Sequence, residues 1–213
     1  MSSDTSGIDN SFLSPVSSPA PQAKQHTSTN LTGDPRKVKD LAADFHNLMR
    51  KWKALNSEGM DIISKIANIK IERVFNLTEQ ESGTVRLPQE LNPLCDLLCD
   101  TVDRMSQVDA KMQHKMKIAE GLESLQQFQK SPATHSILFS SMTLHDVANT
   151  LKMILRDFEE ELKLKKELCR QVAHTDSREL LMFYCACWMH QPYIRPQCHD
   201  LLEALLIETG HIK

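Results

Sequence analysis

Between Val38 and Leu55 the apolar residues fall at Val38, Leu41, Phe45, Leu48, Trp52 and Leu55, in steps that alternate between three and four. That spacing lines one stripe of an α-helix and predicts a heptad seam. Asp34 suits the N-cap and Pro35 the first helical position. Gly59 is expected to break the pattern. Ile62, Ile63, Ile66, Ile69 and Val74 then carry a second helix or a kinked extension of the first. Residues 76–88 are polar, contain Gly83 and Pro88, and read as a loop. A long helix follows over about residues 89–128. Its seam is Leu91, Cys95, Leu98, Val102, Met105, Asp109, Met112, Met116 and Ala119. Forty residues at 1.5 Å each span about 60 Å, too long for one compact domain unless the helices pair as a coiled coil. Asp109 interrupts that seam, where a polar group fixes register or marks a partner contact.

Residues 130–142 break the period again. Thr143 and Asp146 have the spacing of a capping box and open a helix that runs to about Ala173. Its seam is Leu144, Ala148, Leu151, Leu155, Phe158, Leu162, Lys165, Cys169 and Val172, with Lys165 the polar exception. Two short helices close the chain. The first is expected to be capped by Asp176 with Glu179 and ended by Pro192. The second spans 197–209, with Leu202, Leu205 and Leu206 inward and Gly210 as its stop. The pattern therefore predicts an all-α fold: an elongated antiparallel helical bundle or coiled coil over residues 34–213, with two short C-terminal helices. Residues 1–33 are rich in Ser, Thr and Pro without apolar period, and are expected to be a disordered tail. Ser14 and Ser18 each precede a proline there and are candidate phosphorylation sites for proline-directed kinases; Ser131 is a third Ser-Pro step.

Composition narrows the function. The chain is 40% hydrophobic but only 5% aromatic, a mix that favours helices over strands. A net charge of −3 supplies no strong positive field for duplex nucleic acid. No apolar run reaches the roughly 18 residues of a membrane span, and the polar N-terminus carries no secretory signal. Six cysteines in a chain expected to be intracellular read as reduced thiols.

Chemistry has few candidate sites. Cys185, Cys187, His190, Cys198 and His199 crowd one stretch, and a structural zinc site is one reading of them. Cys185 and Cys187 point about 200° apart on a helix, so they cannot share an ion. Burial of small thiols is the plainer account. His-Asp neighbours at 145–146 and 199–200 lie near helix starts, where the acid suits the dipole. All six glycines are isolated, which leaves no phosphate-binding loop. Glu159, Glu160 and Glu161 read as a solvated face. The basic clusters Arg36–Lys39 and Arg50–Lys53, interleaved with Asp40 and Asp44, leave a nucleic-acid-binding helical protein as an alternative. No enzyme, metal or cofactor is expected.

Two stretches carry a resemblance. "KVKDLAADFHNLMRKWKALN" with "IANIKI", and "AHT", "WMHQPYI" and "LLIETGH" in that order, resemble the cyclin-dependent kinase 2-interacting protein family over about residues 36–71 and 172–211. Phe45 stands where the family pattern has Trp. The resemblance implies a non-enzymatic nuclear adaptor. Its implied partners are cyclin-dependent kinase 2 with its cyclin, the origin-firing S-phase kinase, the checkpoint kinase complex, and an AAA ATPase assembly acting in large ribosomal subunit maturation. It implies no catalytic residue. On the helical reading, contacts are with helices of another coiled-coil protein, and Trp188, His190, Gln191, Pro192 and Tyr193 are the expected docking corner. The competing account is that Trp188 and Tyr193 pack the last two helices together. Arg86-x-Pro88 lacks the leucine spacing of a cyclin-docking motif, and Arg178-x-Leu180 is expected to be buried.

Overall fold

Helix α1 runs unbroken from Asp34 to Lys70 in the computed structural model, which describes residues 33–75, 88–129 and 138–212. Gly59 does not end it. Its missing side chain serves packing instead: a Cβ there would meet Trp188 Cζ2 at 2.2 Å. The N-cap is Gly33 and not Asp34. Gly33 sits at φ 74°, a left-handed conformation that glycine adopts without strain. Asp34 lies one step inside and pairs with Lys37 at 3.6 Å. A π-type turn, Ile71–Phe75, extends the helix. The candidate phosphorylation sites Ser14 and Ser18, the rest of the tail to residue 32, Ser131, and residues 76–87 lie outside the described residues.

Helix α2 (Leu91–Gln129) is about 58 Å long at 1.5 Å per residue. It packs antiparallel on α1, and ion pairs at both levels fix the register: Arg104 to Glu58 at 2.6 Å and Lys115 to Asp44 at 2.7 Å. The seam read from the sequence is the buried face, from Leu91 to Ala119, with Cys95 half-buried and Val108 and Leu122 added. Helix α3 (Leu144–Gln171) returns antiparallel to α2. Its capping box forms as expected: the Asp146 N–H donates to Thr143 Oγ1 at 3.2 Å, and the Thr143 N–H donates to Asp146 Oδ2 at 2.9 Å.

Helices α4 (Arg178–His190) and α5 (Gln197–Glu208) run back in series along α1 and α3. Four contacts set that direction. The α3–α4 connection meets Lys70, Trp188 meets Asn56, Arg195 meets Asp157, and His211 Nε2–H donates to the Lys39 carbonyl at 2.9 Å. The described helices thus form an up-down-up-down bundle whose fourth position is one helix broken in two. Trp52 and Phe158 meet edge to face across the interior, with centroids 5.1 Å apart. The α4 cap is Ser177, whose Oγ accepts the Leu180 N–H at 3.1 Å, and not Asp176. Glu179 accepts a hydrogen bond from that hydroxyl at 2.9 Å. Gly210 stops α5 at φ 70°: the Gly210 N–H reaches Ile207 and the His211 N–H reaches Leu206, the paired bonds of a Schellman turn.

Two polar groups sit where the seam reading placed them. Asp109 is buried between α2 and α3. Gln113 Nε2 donates both to Asp109 Oδ2 at 3.0 Å and to Glu159 Oε1 at 2.9 Å, bridging the helices. Burial first, and Glu159 second, push the Asp109 carboxyl up to about 6. Lys165 belongs to the site described next.

Candidate functional site

The break between α4 and α5 is built from "WMHQPYIRPQC", residues 188–198. Gln191 ends α4 in the left-handed region, φ 47° and ψ 65°, which a residue with a Cβ rarely adopts. Pro192 follows and cannot continue a helix. The Ile194 N–H then closes a turn onto the Gln191 carbonyl at 3.0 Å. The strained conformation is held by its side chain, because Gln191 Oε1 accepts the Trp52 indole N–H at 2.9 Å.

Three charged residues one turn apart on α3 grip the rest of this corner. Lys165 Nζ donates to the Trp188 carbonyl at 2.5 Å, pairs with Glu161 Oε1 at 3.1 Å, and lies 4.5 Å from the Trp188 ring centre. Glu161 Oε2 accepts the Tyr193 N–H at 3.1 Å. Asp157 takes a two-pronged Arg195 guanidinium, Nε at 2.7 Å and Nη2 at 2.8 Å, and the Cys198 thiol at 3.1 Å. Lys165 and Glu161 are fully buried and Asp157 nearly so. The ladder therefore supplies partners for the backbone groups that a broken helix leaves open. On the other side Trp188 Nε1–H donates to the Asn56 carbonyl at 3.0 Å, and its ring covers Gly59. Lys70, also buried, donates to the Ala173 and Thr175 carbonyls at 2.6 and 2.5 Å, tying the end of α1 to the approach of α4.

Burial sets the protonation of this ladder. It pushes the Lys165 ammonium down to about 8 against the pull of Glu161, and it raises the Glu161 carboxyl. At Asp157 burial is outweighed by hydrogen bonds from Arg195 and Cys198, which hold the carboxyl below its ordinary range. Burial, then the bond to Asp157, push the Cys198 thiol up to about 12. That thiol is a hydrogen-bond donor and the reverse of an activated nucleophile.

The residues expected to form the docking corner divide between two environments. Trp188 is fully buried, and Gln191 is half-buried and spent on Trp52. His190, Pro192 and Tyr193 are exposed. Beside them the outer face of α4 presents Met182, Phe183 and Met189, each about half exposed or more, while Leu181, Cys185 and Trp188 point inward. Arg178 and Leu180 are exposed as well, contrary to the expectation that they are buried. Glu161 corrects the reading of the 159–161 acids as a solvated face. The signal for it was present: Asp157, Glu161 and Lys165 recur every four residues beside the Leu155, Phe158 and Leu162 seam. Among the described residues, no group of three or more His, Cys, Asp or Glu side chains is placed to hold a metal ion. Cys185 is buried, Cys198 is committed to Asp157, and His190 and His199 face outward.

Comparison with known proteins gives the same family that the corner sequence resembles. A cyclin-dependent kinase 2-interacting protein from Xenopus laevis is 34% identical over 193 residues, 85% of this chain and 91% of that one. The chain belongs to the cyclin-dependent kinase 2-interacting protein family. Relatives of the same name from Homo sapiens and Bos taurus are 30% and 31% identical over 194 residues, 83% of this chain and 89% of each. No family model matches the chain. The match to members of this family extends well beyond the two stretches that first suggested it. Among the described residues, no helix is long and apolar enough to cross a membrane.

Proposed function

We propose that this chain is a non-enzymatic nuclear adaptor. It links cyclin-dependent kinase 2 with its cyclin, and the origin-firing kinase, to replication and checkpoint machinery, the checkpoint kinase complex included. The same proposal covers a second assembly, in which the chain is a subunit of an AAA ATPase complex that matures the large ribosomal subunit. The kinase interaction is what the relatives' name states of them. The observation that carries the adaptor reading is the outer face of α4. Met182, Phe183 and Met189 stand exposed beside His190, Pro192 and Tyr193, while the polar groups behind them are consumed in holding the corner rigid. Rigid, solvent-facing aromatic and Met side chains are what protein interfaces enrich.

Affinity purification of the full chain from cells, wild type beside Phe183→Glu with Met189→Glu, tests this. Both side chains are exposed, so the fold should survive with an unchanged helical circular dichroism. The proposal expects the variant to lose the kinase, the ATPase assembly or both. Full recovery of each by the variant overturns the assignment of this face.

A second reading, nucleic-acid binding, has one observation in its favour. Lys51, Lys111, His114 and Lys115 surround a groove of about 280 Å³ between α1 and α2, floored by Leu48. Asp44 already engages Lys115 at 2.7 Å. A mobility-shift assay across a salt series separates the readings, because phosphate contacts weaken steeply with salt.

A further inference from the structure

Cys99 on α2 and Cys169 on α3 are 70 residues apart in the chain, yet their sulfurs lie 3.3 Å from each other. The other thiols differ in setting. Cys185 and Cys198 are buried, and Cys198 gives its hydrogen to Asp157. Cys99 alone among the described cysteines is exposed, and Cys169 is half-buried against it. A disulfide needs sulfurs about 2.05 Å apart, so at 3.3 Å the two sulfurs must approach by little more than about 1 Å to be bonded. The place also matters. Helices α2 and α3 are joined through residues 130–143 at one end of the hairpin, and the two thiols face each other near the opposite end.

We propose that Cys99 and Cys169 are an oxidative modification site, a reversible disulfide that is made by a peroxide and undone by a dithiol. Cys99 acts first, because its sulfur is open to solvent. Its thiolate attacks one peroxide oxygen, the O–O bond breaks, and the departing hydroxide takes a proton to become water. Cys99 is then a sulfenic acid. The Cys169 sulfur attacks the Cys99 sulfur, the S–O bond breaks, and the leaving hydroxide takes the Cys169 proton as a second water. Two thiols and one hydrogen peroxide thus yield one disulfide and two waters. A dithiol reverses the bond by two successive exchanges and is itself oxidised. Burial, then the bond and charge of Cys99, push the Cys169 thiol up to about 12, which leaves the first reaction with peroxide to Cys99. Once formed, the bond would tie the free end of the α2–α3 hairpin and close a long loop in the unfolded chain.

The test uses the full reduced chain, treated with hydrogen peroxide, blocked with an alkylating agent, digested and analysed by mass spectrometry. The expected product is a peptide pair joined through Cys99 and Cys169 that has lost two hydrogens and is released by dithiothreitol. The oxidised chain should also unfold several degrees higher, in keeping with the loop that the bond closes. Cys99→Ser and Cys169→Ser should each abolish the link, and Cys95→Ser should leave it in place. Cys99 is exposed, so its variant tests the bond with the fold intact. Oxidation that joins Cys99 to Cys95, that joins two chains, or that stops at unlinked sulfinic acid overturns the proposal.

Discussion

The two sides of this bundle share one apolar core but differ in the polar contacts added to it. Against α1 and α3, helix α2 presents a mostly dry seam: Leu98, Val102, Met105, Val108 and Met112 are almost completely buried, and Asp109 is the one buried acid on that face among the described residues. Against α4 and α5, which bury Leu181, Trp188, Leu202, Leu205 and Leu206 in the same core, the same two helices add Trp52, Asn56, Asp157, Glu161 and Lys165, whose hydrogen bonds and ion pairs meet a bent backbone. A regular helix satisfies its own backbone and asks only for apolar surface. A helix broken at Gln191 exposes carbonyls and N–H groups that something must meet. The polar ladder is therefore the consequence of the break, and the break creates a surface that a continuous helix lacks.

The largest effect that tests this contrast comes from the ladder. Lys165→Met strands buried Glu161 and frees the Trp188 carbonyl, and should cost about 3–5 kcal/mol in denaturant unfolding. The double variant with Glu161→Leu should recover part of that loss, since it removes the stranded charge. A single variant within about 1 kcal/mol of wild type would mean that the pair carries little of the corner.

Gly59→Ala comes next. Alanine favours a helix interior by about 1 kcal/mol over glycine. Here a Cβ would collide with the Trp188 ring at 2.2 Å. The indole must withdraw from Asn56, and a net loss of roughly 2–3 kcal/mol is expected, with a shift in tryptophan fluorescence. A gain in stability would show that the ring does not rest on α1.

The seam side gives a smaller effect of opposite sign. Asp109 is an acid whose folded value, about 6, lies above the ordinary aspartate value of 3.8. The folded chain therefore holds the proton more tightly, and stability from this group is greatest at low pH and is lost as pH rises through about 6. Asp109→Asn keeps an acceptor for Gln113 and removes the buried charge. It should stabilise the chain by about 1–2 kcal/mol at pH 7 and by almost nothing near pH 4. Unfolding midpoints measured at both pH values check the sign. The smallest effect belongs to the capping box: Thr143→Ala should cost about 1 kcal/mol.

The same contrast explains how much was legible. Heptad spacing gave the three long helices and most of their buried faces, because a dry seam is written in local periodicity. It also placed Thr143, Gly210 and the breaker Pro192 correctly. It misread Gly59 as a stop, since a glycine beside a distant indole has no local signature. Glu161 was taken as solvated with its neighbours Glu159 and Glu160, although its four-residue spacing with Asp157 and Lys165 pointed inward; its other partner, Tyr193, lies 32 positions downstream. Lys70 escaped notice for the same reason: the carbonyls it caps lie more than 100 residues downstream. The break between the last two helices was legible as a segment, and its docking role is a proposal. Which of its side chains face outward depended on the left-handed turn at Gln191, a backbone choice that no spacing encodes.

A docking corner here must be stiff inside and available outside. Hydrogen exchange of the full chain, alone and with purified cyclin-bound kinase, tests both parts at once. The account predicts slow exchange at the Trp188–Cys198 turn even without partner, and new protection with the kinase on α4 around Met182–Met189 and at Tyr193. Fast exchange of the turn in the free chain, or kinase-dependent protection confined to α2, would contradict it.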